Sequence, residues 1–193
     1  MAHGGSLMSV PLTEVLKELR QDHRNIESLL ELVDAEAERI STGGEPDCEL
    51  LKDIMQYMLV YSDGIHHPRE DLVYQAMAKF SGELAQGLEG VEPDHHEIGQ
   101  LGKALHRDIE AVLVGAPVTR ERVATDAVDY VKRLRNHMAW EEADLFLQAD
   151  RLAEQSDVNI DVSRLTANDP IFGADKDPAF SILLANLARR SPI

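Results

Sequence analysis

The sequence has few of the features that would place it in a membrane or in an oxidising compartment. Its 193 residues include a single cysteine, Cys48, so no disulfide can form within the chain, which fits a reducing cytoplasm. No run of about 18 or more apolar residues is present, which argues against a transmembrane helix. The N-terminal MAHGGSLMSV has neither the basic nor the apolar region of a signal peptide. We therefore expect a cytoplasmic protein.

Positive charge is also scarce. The 19 lysines and arginines face 35 aspartates and glutamates, which gives a net charge of −16. Such a surface repels phosphates and anionic lipid headgroups, so we expect neither nucleic acid nor a membrane as a partner. The chain is expected to stand alone or to have a protein partner that the sequence does not name. A nucleophile–base pair and a glycine-rich phosphate loop are not evident, which argues against ordinary hydrolase and nucleotide chemistry.

No strand pattern is evident, whereas helical periodicity runs through most of the chain. Apolar residues recur at 3-4 spacing in four stretches, near residues 12–40, 47–80, 84–112 and 119–145. The connections TGGEP, SG and GAP are short, and Thr119 is a suitable N-cap for the fourth helix. Four long helices with short connections predict an all-α, up-down-up-down four-helix bundle with a C-terminal loop and short helix.

We divide the chain into three segments. The first is an N-terminal extension of residues 1–9, which we interpret as foreign residues ahead of a native start at Met8. The second is a bundle of residues 10–152, and the third is a C-terminal extension of residues 153–193 that packs on the bundle. Within the last segment, NDPIFGADKDP predicts a loop. Asp177 and Pro178 then predict the start of a short apolar helix that continues through Leu187.

Four histidines occupy related positions on the four predicted helices. They are His23, His66, His95 and His137, and each follows the apolar stripe of its helix. Consecutive members lie at nearly equal distances from the loop they share, with loops centred near residues 44, 81 and 116. Equal distance from a shared loop means equal height along an antiparallel bundle, so we expect the four side chains to meet in one buried layer.

Two glutamates follow these histidines at helical spacing. Glu70 lies four residues after His66, and Glu141 lies four residues after His137, so each pair shares one helix face. Burying two carboxylates without partners would cost several kcal/mol, which a pair of divalent or trivalent cations would offset. Nitrogen and oxygen donors without thiolates suit iron or manganese better than a structural zinc.

These residues belong to four motifs, DHRNI at 22–26, HHPRED at 66–71, DHHEI at 94–98 and HMAWEE at 137–142. Together they resemble the motifs of the hemerythrin-like, HHE cation-binding family over residues 12–150. The resemblance implies two non-haem irons with an oxo or hydroxo bridge, in preference to manganese or zinc. It implies His23, His66, His95 and His137 as terminal ligands and Glu70 and Glu141 as bridging ligands. The tail DPIFG is similar to an extension of bacterial members.

Five neighbouring residues stand outside the predicted ligand set. His67 and His96 lie one residue off the inward stripes, so we expect them outside the ligand set. Asp71 and Glu142 are expected to orient a ligand imidazole or to face solvent. Glu27, one turn after His23, is an alternative extra ligand, although we interpret it as a solvated helix acid.

A glycine and two prolines lie close to the predicted ligands. Oxygen-carrying family members place a second histidine four residues after the first on the third helix. In this sequence Gly99 occupies that position, and His96 points about 100° away, which implies one open metal position. Pro68 is expected to bend the second helix, and so is Pro93 in the third, unless that helix starts there.

A fold and a metal do not fix a chemistry, so three functions stay open. The leading hypothesis is a protein that binds or senses a small oxidant, namely oxygen, nitric oxide or peroxide. The second is a di-iron enzyme of oxidative or nitrosative defence, or of iron supply for repair. The third is a structural or interaction protein that holds another metal.

Overall fold

The computed structural model describes residues 9–80, 88–163, 165 and 168–190. They are mostly helical, as the periodicity predicts. None of the helices in these ranges is both long and apolar enough to cross a membrane.

The first helix, α1, covers Leu12–Ser41 and buries the predicted stripe. It ends in TGGEP, where Gly43 has a φ of 81° and its N–H donates to the carbonyl of Ile40. Residues with side chains rarely adopt this left-handed conformation, so glycine at this position ends the helix without strain.

The second predicted helix is continuous from Cys48 to Phe80 but not uniform. It consists of α2 at Cys48–Tyr57, a π-helical segment at Met58–His66, and α3 at His67–Phe80. The N-cap is Asp47, whose carboxylate accepts a hydrogen bond from the N–H of Leu50. The π-helical segment, which ends two residues before Pro68, was not predicted. Its wider turns change which residues face inward.

The third helix, α4, covers Val91–Leu113. The predicted start near Leu84 lies outside the described residues, and residues 88–90 form a turn. Pro93 falls in the first turn of α4, where the missing N–H has no helical acceptor to lose. The start of α4 at Val91 agrees with the alternative interpretation of Pro93, that the helix restarts near it, and not with a bend inside the helix.

The fourth helical stretch consists of α5 at Arg120–Trp140, a π-helical turn at Glu141–Leu145 and α6 at Phe146–Gln155. The Thr119 hydroxyl accepts a hydrogen bond from the N–H of Arg122, which confirms the predicted N-cap. The tail helix, α7, covers Ser181–Arg190 after a 3-10 turn at Pro178–Phe180, as predicted.

Two short strands contradict the expectation of a strand-free chain. β1, at Ser9–Pro11, pairs antiparallel with β2, at Asn159–Asp161, and Val10 lies opposite Ile160. Three residues are too few to display an alternating pattern, so periodicity could not predict these strands.

Contacts between the described helices show which of them are neighbours. α1 lies against α5, α2 against α4, and α4 against α5. Arg135 pairs with Glu27, whereas Arg120, at the other end of α5, pairs with Glu45 just beyond α1. The directions of α1 and α5 are therefore antiparallel.

The buried apolar residues form two separate clusters. One contains Ile26 and Ile98 with the residues towards the ends of α1 and α4, and the other contains Leu19 and Val73. Along each long helical stretch the candidate histidines and glutamates lie where one cluster gives way to the other, and only His137 precedes a last member of the first cluster, Met138. A polar layer thus interrupts the core, and this layer is the candidate site.

Candidate metal centre

The structure brings all six predicted ligands into one buried group: His23, His66, Glu70, His95, His137 and Glu141. Glu70 has no exposed surface. Its Oε1 lies 3.2 Å from Nε2 of His23 and 3.2 Å from Nε2 of His66, and its Oε2 lies 3.5 Å from Nε2 of His95. Glu70 therefore contacts histidines from three helical stretches.

Glu141 is equally buried and has a corresponding place. Its Oε2 lies 3.2 Å from Nε2 of His137 and 3.5 Å from Nε2 of His23. Its Oε1 lies 3.7 Å from Nε2 of His95. The two glutamates therefore share His23 and His95, as expected of residues at the centre of a two-metal site.

The four predicted histidines all point Nε2 towards the glutamates and Nδ1 towards another carboxylate. The Nδ1 contacts are His23 with Glu142 at 3.0 Å, His66 with Asp22 at 3.2 Å, His95 with Asp71 at 3.4 Å, and His137 with Asp94 at 2.7 Å. A carboxylate at Nδ1 holds a proton there and leaves the lone pair on Nε2, which is the usual arrangement of metal-binding histidines. Asp71 and Glu142 thus lie where the sequence suggested they could orient imidazoles.

Arginines hold three of these outer carboxylates. The pairs are Arg20 with Glu142, Arg69 with Asp22, and Arg133 with Asp94. Each arginine restrains a carboxylate that in turn restrains a histidine. The layer is therefore flanked on its outside by ion pairs, of which Arg133 with Asp94 is also a hydrogen bond.

The Nε2 atoms of His95 and His137 lie only 3.0 Å apart. With both Nδ1 atoms facing carboxylates, two lone pairs would face each other at this distance. Such an arrangement is repulsive unless a proton or a metal cation lies between the rings. This pair is therefore a specific indication that the layer accommodates cations.

His67 belongs to the layer, although the sequence analysis expected it outside the ligand set. Its exposed fraction is 4%, and its ring stacks on His95 with centroids 4.2 Å apart and an angle of 10°. Its Nδ1 lies 3.5 Å from Oδ1 of Asp63. Helical periodicity could not reveal this, because the π-helical segment that ends at His66 rotates the next residue inward.

The donor atoms fall into two groups, each within 4.8 Å, that share Glu70. Site A consists of His23, His66 and Glu70, and site B consists of His67, Glu70, His95 and His137. Glu141 adjoins both through its contacts with His23 and His137. One shared carboxylate between two donor groups is what a two-metal site requires.

The site strongly favours positive charge. Burial lowers the pKa of His23, but the interactions with the carboxylates of Glu141, Glu142 and Glu70 raise it more, to about 11. Burial also lowers the pKa of His66, but the charge of Glu70 and the hydrogen bond to Asp22 outweigh it and raise the pKa to about 9. Burial lowers the pKa of His95 as well, but the neighbouring carboxylates outweigh it and raise the pKa to about 10.

His67 and Glu141 shift in the directions that metal ligation needs. Burial and the charges of the neighbouring imidazoles lower the pKa of His67 well below its usual range, which keeps this ring neutral. Burial raises the pKa of Glu141, but the interactions with the imidazoles of His137, His23 and His95 outweigh it and hold the pKa well below the usual range. A neutral imidazole and an ionised carboxylate are the ligating forms of both groups.

Two buried carboxylate oxygens indicate whether metal ions would fit in the layer. Oε2 of Glu70 and Oε2 of Glu141 have no hydrogen-bond partner, although imidazole nitrogens lie nearby. Such orphaned oxygens are expensive in a protein interior. Donor atoms that face a common centre without bonding one another are suited to a cation, so the residues fit a metal pair.

Tyr74 is a further residue of the site that sequence reasoning missed. Its hydroxyl donates a 2.7 Å hydrogen bond to Oε1 of Glu141, and burial raises its pKa. Its position four residues after Glu70 could have indicated that it shares the inward face. Phe146 also contacts the site, since its ring stacks on His23 with centroids 5.2 Å apart.

Other histidines and acids lie away from the donor atoms. Glu27 pairs with Arg135, in agreement with its interpretation as a helix acid. His96 is exposed, as expected, and His106 faces Glu110.

A cavity of about 570 Å³ opens beside site B. Its lining includes His67 and His95 together with Asp63, His96 and Lys103. Gly99 also lies on its wall. The cavity therefore connects the surface with the imidazole edge of the layer.

The helical packing and the histidine–carboxylate layer define a cation-binding helical domain. The sequence matches the model of the hemerythrin HHE cation-binding domain over residues 14–149, and the chain belongs to this family. The comparisons of this chain with the curated proteins and with the solved structures found no match.

Proposed function

We propose that the chain is a non-haem di-iron protein whose helices form an up-down-up-down bundle and which binds or senses a small oxidant. Site A would hold one iron and site B the other. Two irons bound here would supply a centre that binds or reduces oxygen, nitric oxide or peroxide. The observation that carries the proposal is the convergence of histidine Nε2 atoms, each backed by a carboxylate at Nδ1, on two buried glutamates.

The proposed ligands are the six residues predicted from the sequence, with His67 added. His67 is buried, has a carboxylate beside Nδ1 and belongs to a donor group, as His66 and His137 do. Glu70 is proposed to bridge, because it is the residue common to both donor groups. Glu141 is proposed as the second bridge, because it contacts histidines of both sites.

The protein's own residues would have three tasks at this centre. The outer carboxylates keep the proton of each histidine on Nδ1 and fix the direction of Nε2. Tyr74 donates a hydrogen bond to Glu141 and limits its rotation. The two apolar clusters exclude water from both ends of the layer, and the cavity beside His67 leaves one side accessible to a small molecule.

An enzyme of oxidative or nitrosative defence is the second candidate. The cavity of about 570 Å³ beside site B would give peroxide or nitric oxide access to the centre. Turnover of hydrogen peroxide or nitric oxide by the loaded protein would separate the enzyme from a binder.

Anaerobic metal analysis, combined with absorption spectra before and after exposure to air, tests the proposal. We expect two irons per chain and new near-ultraviolet bands after air. Zinc with a featureless spectrum would favour the alternative of a structural protein that holds another metal.

A further inference from the structure

The tail of the chain is connected to site A by a series of buried side chains. Asp169, in the turn before the tail helix, accepts a hydrogen bond of 3.1 Å from the hydroxyl of Tyr57. The ring of Tyr57 stacks on that of Tyr61 with centroids 5.4 Å apart and an angle of 24°. Both rings belong to the helical stretch that carries His66.

The series continues from Tyr61 to a candidate ligand. The Tyr61 hydroxyl donates a 3.2 Å hydrogen bond to Oδ1 of Asp22, and Oδ2 of Asp22 lies 3.2 Å from Nδ1 of His66. Tyr57 has no exposed surface, and the exposed fractions of Tyr61 and Asp22 are 4% and 6%. The connection is therefore shielded from water along its length.

Two backbone hydrogen bonds orient the carboxylate of Asp169 towards Tyr57. Its Oδ1 accepts hydrogen bonds from the N–H groups of Ile171 and Phe172, at 2.8 Å and 2.9 Å, so Oδ2 stays directed at the phenol. The aromatic ring of Phe180 packs edge-on to Tyr57. The tail therefore fixes both the hydroxyl and the ring of Tyr57.

We propose that the C-terminal extension sets the geometry of site A through Tyr57, Tyr61 and Asp22, with Tyr61 as a positioning residue for His66. The inference deepens the proposed function, since it rests on His66 being a metal ligand. Its physical basis is the freedom of Asp22 to rotate.

Without the Tyr61 hydroxyl, Oδ1 of Asp22 loses its hydrogen bond. The carboxylate can then turn towards Arg69, whose guanidinium lies 3.9 Å from Oδ2, and away from His66. An imidazole released at Nδ1 is less well oriented at Nε2. Removal of an outer partner of a metal-bound histidine lowers metal affinity by roughly 10–100-fold.

The first experiment uses the metal-free protein with ¹⁵N-labelled histidine. It measures the exchange with water of the proton on Nδ1 of His66. We expect Tyr61→Phe, which keeps the ring, to speed this exchange about tenfold, and Asp169→Ala to speed it by a smaller factor. Tyr130→Phe removes a hydroxyl from an equally buried ring elsewhere and should leave the exchange unchanged.

The second experiment loads each variant with Co²⁺ and measures its release to excess chelator. We expect about tenfold faster release from Tyr61→Phe than from the unmodified protein or Tyr130→Phe, the lower end of the range for outer hydrogen-bond partners. Phe180→Leu is a control that weakens the packing of the tail but keeps the hydrogen bonds of Asp169, Tyr57, Tyr61 and Asp22. It should lower the melting temperature with a smaller effect on release.

The outcomes separate the two ideas. Equal proton exchange in Tyr61→Phe and Tyr130→Phe would overturn the inference, whether or not the protein binds metal. Faster exchange in Tyr61→Phe with no Co²⁺ or iron bound by the unmodified protein would refute the metal centre instead, while the positioning of His66 would stand.

Discussion

Asp63 lies directly over Gly99, so that a Cβ on Gly99 would stand 3.3 Å from Oδ2 of Asp63. The position where oxygen-carrying relatives place a second histidine is therefore bordered by a carboxylate. The same carboxylate faces Nδ1 of His67. The fifth histidine of this layer thus comes from the second helical stretch instead of the third.

Gly99→His should move Asp63 by a few tenths of an ångström into the adjoining cavity, because a carboxylate at the end of a side chain can yield. We expect a modestly lower melting temperature and, in the iron-loaded protein, slower oxidation in air than in the unmodified chain. Gly99→Ala separates the steric effect from the added imidazole and should leave the oxidation rate unchanged. Absorption spectra recorded over time after exposure to air measure the rate. We expect the iron-loaded, unmodified protein to oxidise rapidly in air, so a stable and reversible oxygenated spectrum would contradict this prediction.

The sequence predicted the candidate centre better than its surroundings. The common layer of His23 and His66 followed from loop distances alone, since antiparallel helices convert equal distance into equal height. His67 could not be found in this way, because the π-helical turn before it changes the phase of the helix. Asp169 could not be assigned either, since its partner Tyr57 is more than a hundred residues away and only the fold brings them together.

The bridging role of the glutamates predicts a loss of metal on substitution. Glu70→Ala and Glu141→Ala should each reduce the iron content well below two per chain, since each carboxylate is proposed to contact both ions. Inductively coupled plasma mass spectrometry of protein loaded without oxygen measures the content. Glu31→Ala, which removes an exposed acid of α1, is the matched control. Full occupancy in either glutamate variant would show that the residue does not bridge.

His67 and His96 form a natural pair for testing the fifth histidine. Each directly follows a predicted ligand, but His67 is buried against His95 whereas His96 is exposed. We expect His67→Ala to weaken binding of the second metal ion by at least tenfold, a magnitude typical of even an outer partner, and His96→Ala to have no effect. Competition with a chromophoric chelator gives both affinities. Equal affinities in the two variants would show that His67 packs in the layer without binding metal.

The last prediction concerns pH, because protons and metal ions compete for the same nitrogens. In the folded chain the pKa values of His66 and His23, about 9 and about 11, lie above the ordinary value of 6.5. Protonation of these rings therefore stabilises the metal-free fold. This stabilisation is complete below pH 6.5 and is lost as the pH rises through the two folded-state values.

The metal-free protein should accordingly melt a few degrees lower at pH 9 than at pH 6.5, since about 1 kcal/mol corresponds to roughly 2–4 °C for a chain of this size. Iron should add more stability at the higher pH, where it displaces fewer protons. At a thousandfold excess over Kd, ligation adds about 4 kcal/mol. Calorimetry of chelator-treated and anaerobically iron-loaded samples at both pH values gives the four melting temperatures. Identical melting of the two samples at both pH values would show that the histidine layer does not bind iron, because a cation held by these nitrogens must stabilise the folded state.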